Sequence, residues 1–395
     1  MINNMREEIN AYLSQFDLDI RKTRDARYVD QKCTPDIVCF MADCVINMIA
    51  TKPQFVINDI WESQYFIQNS RVIFNKPWAN DKKVYNEYNK VLSQPLKLLA
   101  YAKILNVEKI KGILTFSVLN EDLLDYISRK DRNVYNFLYC YFTKVLDDSN
   151  FSRYLDEYKN NYKKNLNEAR NVLYDKYYKF IKGNTPSHSP IDIRRMFHKV
   201  LNVYAVENNI PGSSGKFSMT YSEIMYNRKN WRDLRKDKSI TRQESLDCKI
   251  DEKQEIINTY YVQKAINLIK RIHKESEVHD GLEKETATQV HHIFPKSLFP
   301  EIAHYVENLI MLTATQHFTK AHPNNDTKQI CKDYQLTCLL AKADTIDKSI
   351  QRVGEKYYSK VLFIHVCNIG LSVNIESVLP FVELKNRLIQ IYNAA

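Results

Sequence analysis

The chain lacks several features that would assign it to a broad class at once. No run of eighteen or more apolar residues occurs among its 395, which argues against a membrane-spanning helix. Met1 to Asn10 carries charges and no apolar core, so a secretory signal is not expected, and a cytoplasmic protein is. The eight cysteines (Cys33, Cys39, Cys44, Cys140, Cys248, Cys331, Cys338 and Cys367) include no CxxC pair. That spacing speaks against a thiolate zinc knuckle and against a disulfide framework, leaving reduced thiols. Internal repeats and low-complexity tracts are missing too. Glycine is scarce, 7 against 26 tyrosines, the imprint of an AT-rich genome and no pointer to function.

What is present suits a globular protein of two or three domains: 44% apolar residues, 26% charged, and a formal net charge of +10. A basic excess of this size fits a polyanionic partner, although many proteins without one share it. The expected fold class is mostly α with small β elements (α+β). Residues 1–150 read as a helix-rich domain, in which Thr34-Pro35-Asp36 starts a helix through Ile46. Gly112 to Val118 has the β-branched and aromatic character of a strand, and Asn120-Glu121-Asp122 starts another helix. Helices followed by a small strand pair would suit a winged-helix arrangement that reads DNA; a plain helical scaffold would look the same.

Residues 151–210 read as helical, broken into two helices at Lys182 to Ser187. Residues 211–250 are expected to be a linker, clearest at Pro211 to Gly215, leading into a basic connector. There Arg228, Lys229, Arg232, Arg235 and Lys236 surround Trp231, a mixture suited to phosphate contact; a solvated helix face is the plainer alternative.

The chemistry concentrates in residues 251–330. Five of the 10 histidines (His291, His292, His304, His317 and His322) fall between positions 291 and 322. Val290 to Phe294 reads as a short strand stopped by Pro295, Asn308 leads into a second strand, and Thr313 to Thr315 can start a helix carrying His317. Neighbouring residues on a strand face opposite ways, so an irregular strand end is needed if His291 and His292 are to serve one site. His291 and His317 are candidate ligands of one divalent cation, and His292 is then a candidate general base, its ordinary pKa suiting proton abstraction near neutrality. Phosphodiester hydrolysis needs both services. Asn308 has neither a useful pKa nor metal affinity and is expected to hydrogen-bond the loop backbone, fixing where His292 points.

The run His291-His292-Ile293-x-Pro295, then Asn308-Leu309-Ile310-x-Leu312, then His317, resembles the HNH endonucleases of the ββα-metal superfamily. The likeness covers about Val290 to Pro323, and it implies a ββα-metal module in the C-terminal third. It implies His291 and His317 as metal ligands, His292 as general base and Asn308 as the loop-ordering residue. A divalent ion is implied as well, Mg²⁺ first, with Mn²⁺, Ni²⁺ or Zn²⁺ as alternatives. Two features depart from the family. No CxxC pairs flank the module, and the position four beyond the helix histidine is Ala321. His322 lies five beyond, about 140° away around an ideal α-helix, and would reach the metal only if the helix ends there.

A reading region followed by a C-terminal HNH module is similar to HNH-type restriction endonucleases, and Asp25-Ala26-Arg27 to Asp43 carries a weaker likeness to that group. The expected function is therefore a type II restriction endonuclease acting on double-stranded DNA as a homodimer. A modification-dependent or nicking nuclease is one alternative, and a DNA-binding regulator with a structural zinc another. Residues 331–395 read as a helical region packed on the module or forming a dimer contact.

Overall fold

The computed structural model describes residues 2–74, 79, 84–226, 259–322 and 331–394. It is mostly helical with a few small antiparallel sheets, and the chain divides into two compact units, Ile2–Leu246 and Asp247–Ala395. No helix among the described residues is long and apolar enough to cross a membrane.

The first unit opens with α1 (Ile2–Leu13) and α2 (Ile20–Thr23) and is built around α3 (Pro35–Ile49). Pro35 stands in the first turn of α3 behind an extended Thr34, because proline needs no partner for an amide hydrogen there. Every residue from Pro35 to Ile46 is buried, so α3 is a core helix covered on all sides rather than a surface helix with one apolar stripe. The chain continues through β1 (Gln54–Val56), α4 (Ile57–Trp61), α5 (Gln64–Phe74) and α6 (Tyr85–Tyr101) into a hairpin of β2 (Leu105–Ile110) and β3 (Ile113–Val118). Lys111 and Gly112, both at positive φ, make its two-residue turn, the backbone geometry that matches strand twist. The sheet has three strands, not two, in the order β1-β3-β2. Phe55 on β1 stands opposite Phe116 on β3, their rings stacked at 5.8 Å.

Beyond the sheet come α7 (Glu121–Arg129) and α8 (Asp131–Asp148). Asn120 caps α7 by accepting from the Leu123 amide. Between 151 and 210 there are three helices instead of two: α9 (Ser152–Asn161), α10 (Leu166–Asn184) and α11 (Pro190–Asn208). The additional break is made by Asn165, whose side chain caps α10 at the Glu168 amide. Pro211 to Gly215, expected to be a loose linker, is tied down. Tyr158 donates to the Pro211 carbonyl, Ser213 N donates to Asn202, and Met219 N returns to Ile210 O. A side chain at Gly212 would collide with Met219 and Asn202, so glycine here serves close packing. The expected DNA-contacting residues Arg228, Lys229, Trp231, Arg232, Arg235 and Lys236 lie outside the described residues.

The second unit contains α12 (residues 259–272), β4 (Gln289–His292), β5 (Leu309–Leu312), a π-helical turn (Gln316–Ala321), α13 (Lys332–Val353), α14 (Lys360–Leu371) and α15 (Phe381–Ala394). The strands pair antiparallel, with His291 opposite Ile310 and His292 opposite Leu309. All four residues of β5 are buried, because the three C-terminal helices share one apolar core with the strands. Residues 331–394 are therefore part of the body that carries the histidines. Phe294 and Gly370 on α14 show how closely they fit: a Cβ at Gly370 would overlap the Phe294 ring. Across the same body Lys342, on α13 and fully buried, pairs with Glu277 at 2.9 Å. Glu277 also accepts from the Met311 amide on β5.

Candidate metal centre

The side chains of His291, His317 and His322 converge. Their ring centroids lie 5.3 Å (291–317), 4.9 Å (291–322) and 4.8 Å (317–322) apart, and one nitrogen from each lies within 4.8 Å of the others. Three elements supply them: the end of β4, the π-helical turn, and the residue that ends that turn.

The turn explains how His322 joins a site from which an ideal α-helix would rotate it away. The His322 amide donates to the His317 carbonyl at 3.2 Å, closing five residues where an α-turn closes four. Widening the turn by one residue places position i+5 over position i. Ala321, at the α-helical spacing, is buried and has no ligand atom. Thus the absence of histidine four residues beyond His317 and the presence of one five beyond have a single structural cause.

Burial and mutual proximity keep the His291 and His317 rings neutral. Desolvation, followed by repulsion from His317 and His322, pushes His291 down to about 3. Desolvation and then His322 push His317 down to about 4. Neutral imidazole is the form that ligates metals. His317 Nδ1 is buried without any hydrogen-bond partner, a costly condition for a polar atom that a bound cation would relieve. The residues present therefore fit a metal ion: three imidazole nitrogens within reach of one another, one of them orphaned. Among the described residues no carboxylate or thiolate completes the group.

His292 is not among the three. Its Nε2 lies 3.0 Å from the Ala303 carbonyl, which can only accept, so the proton sits on Nε2 and the Nδ1 lone pair is left over. Desolvation lowers its pKa, the Ala303 contact opposes that, and Lys296 lowers it further. Ala303 belongs to the loop between the strands, and Asn308 holds that loop. Fully buried, Asn308 accepts from Phe294 N at 2.8 Å and donates to Phe294 O at 3.0 Å and Ile302 O at 3.3 Å. Its own carbonyl accepts from Ile293 N. The start and the middle of the loop are thus fastened by one side chain at its end, and the Ala303 carbonyl that orients His292 is one residue from the fastened Ile302. His304 is exposed and takes no place in the cluster.

Sequence reasoning passed over the supports behind the ligands. Gln335 on α13 donates to the Ile293 carbonyl just past the histidine pair, and Gln316 and Glu277 bind the loop before β4 to the second strand and the turn. The only signal for Gln316 was its place beside His317; for the others there was none, since their partners are distant in sequence. Comparison with family models, with curated proteins and with solved structures gives no match, so the chemistry of the site has to be read from its own residues.

Proposed function

We propose that this chain is a metal-dependent endonuclease that hydrolyses DNA phosphodiester bonds, with His291, His317 and His322 holding the ion and His292 as general base. The observation that carries the reading is the three-histidine cluster with a fourth, separately anchored histidine adjacent to it in the chain. Three protein nitrogens match catalytic zinc-type sites, which keep a coordination position open, better than structural sites, which close four ligands and usually include thiolate.

The donor set also bears on the ion. Mg²⁺ prefers oxygen ligands and retains its waters, whereas imidazole suits Zn²⁺, Ni²⁺ and Co²⁺. We therefore propose one of these borderline ions in place of the Mg²⁺ expected from the sequence. When bound, such an ion supplies a positive charge that stabilises the phosphate and the departing oxygen. The chain's own residues do the rest. His292 accepts a proton from the attacking water at Nδ1, while the Ala303 carbonyl holds Nε2–H and prevents the ring from turning. Asn308 keeps that carbonyl in place.

A type II restriction enzyme acting on double-stranded DNA as a homodimer remains the specific form we propose, with residues 2–226 as the candidate reading region. The order helix, strand, three helices, strand pair around the β1-β3-β2 sheet supports such a role for residues 35–118.

The test is cleavage of unmethylated and methylated plasmid DNA with Zn²⁺, Ni²⁺, Co²⁺, Mn²⁺ or Mg²⁺, comparing the wild type with His292→Ala. Discrete fragments from the wild type and none from a folded variant are expected. No cutting of either DNA with any ion, or equal cutting by both proteins, overturns the reading.

A further inference from the structure

Gln316 is the first residue of the π-helical turn and is wholly buried. Its amide is used completely. Oε1 accepts from Ser276 Oγ at 2.6 Å and from Thr313 N at 3.1 Å. Nε2 donates to Val278 O at 2.9 Å and to Asp280 Oδ1 at 2.8 Å. The Gln316 amide nitrogen of the main chain donates in turn to Thr313 Oγ1. Only a carboxamide places two acceptor sites and two donors where this pocket needs them. A glutamate would set oxygen against the Val278 carbonyl and the Asp280 carboxylate, and an apolar residue would strand the Thr313 amide.

The loop that Gln316 grips is fastened to the strand side of the site as well. Glu277 donates its amide to Met311 O at 3.0 Å and accepts the Met311 amide at 2.8 Å, while Met311 stands opposite Val290, next to His291. One buried side chain thus ties the start of the turn bearing His317 and His322 to the loop that holds the sheet bearing His291. π-Helical turns are rare, and one persists only where its surroundings determine it.

We propose that Gln316 is a positioning residue that enforces the π-helical turn, and so admits His322 to the metal centre beside His317. Without it the turn relaxes towards α-helical closure, His322 swings away from His317, and the centre keeps two histidines instead of three. The proposal rests on the metal-binding reading above and asks for more than that reading does: a specific energetic coupling between residues 316 and 322.

The experiment is a double-mutant cycle on Co²⁺ affinity, using the full chain, with the visible spectrum of bound Co²⁺ as a second readout. Gln316→Met, close in volume and without the amide, is expected to weaken Co²⁺ binding by about 10- to 100-fold, as loss of an outer-shell support does. Its Co²⁺ spectrum should match that of His322→Ala. Adding His322→Ala to Gln316→Met should then cost nothing more, whereas in the wild-type background it weakens binding. Equal cost of His322→Ala in both backgrounds, or an unchanged spectrum in Gln316→Met, overturns the proposal. Should Gln316→Met fail to fold, Asp280→Ala removes one acceptor at an exposed residue: weaker binding with reduced coupling to His322 supports the proposal, and unchanged binding overturns it. If the wild type itself binds no Co²⁺, or His291→Ala leaves binding unchanged, the metal centre falls and this inference with it. Wild-type binding with an uncoupled cycle removes the inference alone.

Discussion

Replacing Asn308 by aspartate changes one NH₂ group into an oxygen and leaves size and shape almost unaltered, so it isolates what the amide does. Asn308 Nδ2 donates to two main-chain carbonyls, Phe294 O and Ile302 O, in a fully buried place. An ionised aspartate there would face both carbonyl oxygens with no proton between them. The folded protein avoids this by keeping the carboxyl protonated, and at pH 7.5 that costs about 1.4 kcal/mol for each unit between the ordinary pKa near 3.9 and the solution pH. The ceiling is roughly 5 kcal/mol, and residual solvation brings the expected destabilisation to about 3–5 kcal/mol. The sign follows from linkage. The folded-state pKa is raised, so the deficit is largest at neutral and alkaline pH and shrinks as the pH falls towards about 4, where the unfolded chain is protonated too. Urea denaturation of both proteins without metal, at pH 7.5 and pH 5, measures this, and the contribution of the histidines cancels in the difference. A deficit that is smaller at pH 5 than at pH 7.5, narrowing by about 1.4 kcal/mol per pH unit once the pH is below the raised folded-state value, is expected. An Asn308→Asp protein within about 0.5 kcal/mol of the wild type at pH 7.5, below what one buried unmade hydrogen bond costs, refutes the role given to this amide.

Three further outcomes follow from the same unit. Because His291 and His317 are pushed down to about 3 and about 4, both rings are neutral at pH 5.5, with one nitrogen lone pair free, and Zn²⁺ binding there should displace no proton from them. Calorimetry in buffers of different ionisation enthalpy reads proton release; release of two or more protons per ion contradicts the low values. Lys342→Met leaves Glu277 buried without its cation and should destabilise the protein by about 3–5 kcal/mol in urea denaturation, a loss below about 1 kcal/mol being inconsistent with the pairing. Gly370→Ala drives a methyl group into the Phe294 ring and should cost about 1–3 kcal/mol, and Phe294→Leu in the same chain should recover part of it; a neutral Gly370→Ala refutes the close approach.

Local chemistry made much of this chain legible from its residues alone. The helix starts at Thr34-Pro35 and Asn120, and the strand around Val290 to His292, follow from capping preferences and alternation that need no distant partner. The concentration of histidines, and Asn308 as a residue suited to bonding a loop rather than to titrating, were equally visible. Distance in sequence hid the rest. The third strand β1 lies 59 residues before its nearest partner in the register, Thr115 opposite Val56, and short apolar runs do not announce their neighbours. Gln316 and Glu277 look like ordinary polar residues until folding buries them against Val278, Asp280 and Lys342.

His322 marks the boundary most clearly. Its residue type, and its spacing of five from His317, belong to the sequence, and on α-helical geometry that spacing points it elsewhere. A turn that closes over five residues is rare by itself, and whether it forms is decided by which side-chain and main-chain groups find partners. Here the buried amide of Gln316 and the loop 276–280 supply those partners, and the tertiary structure turns an off-phase histidine into the third member of the cluster.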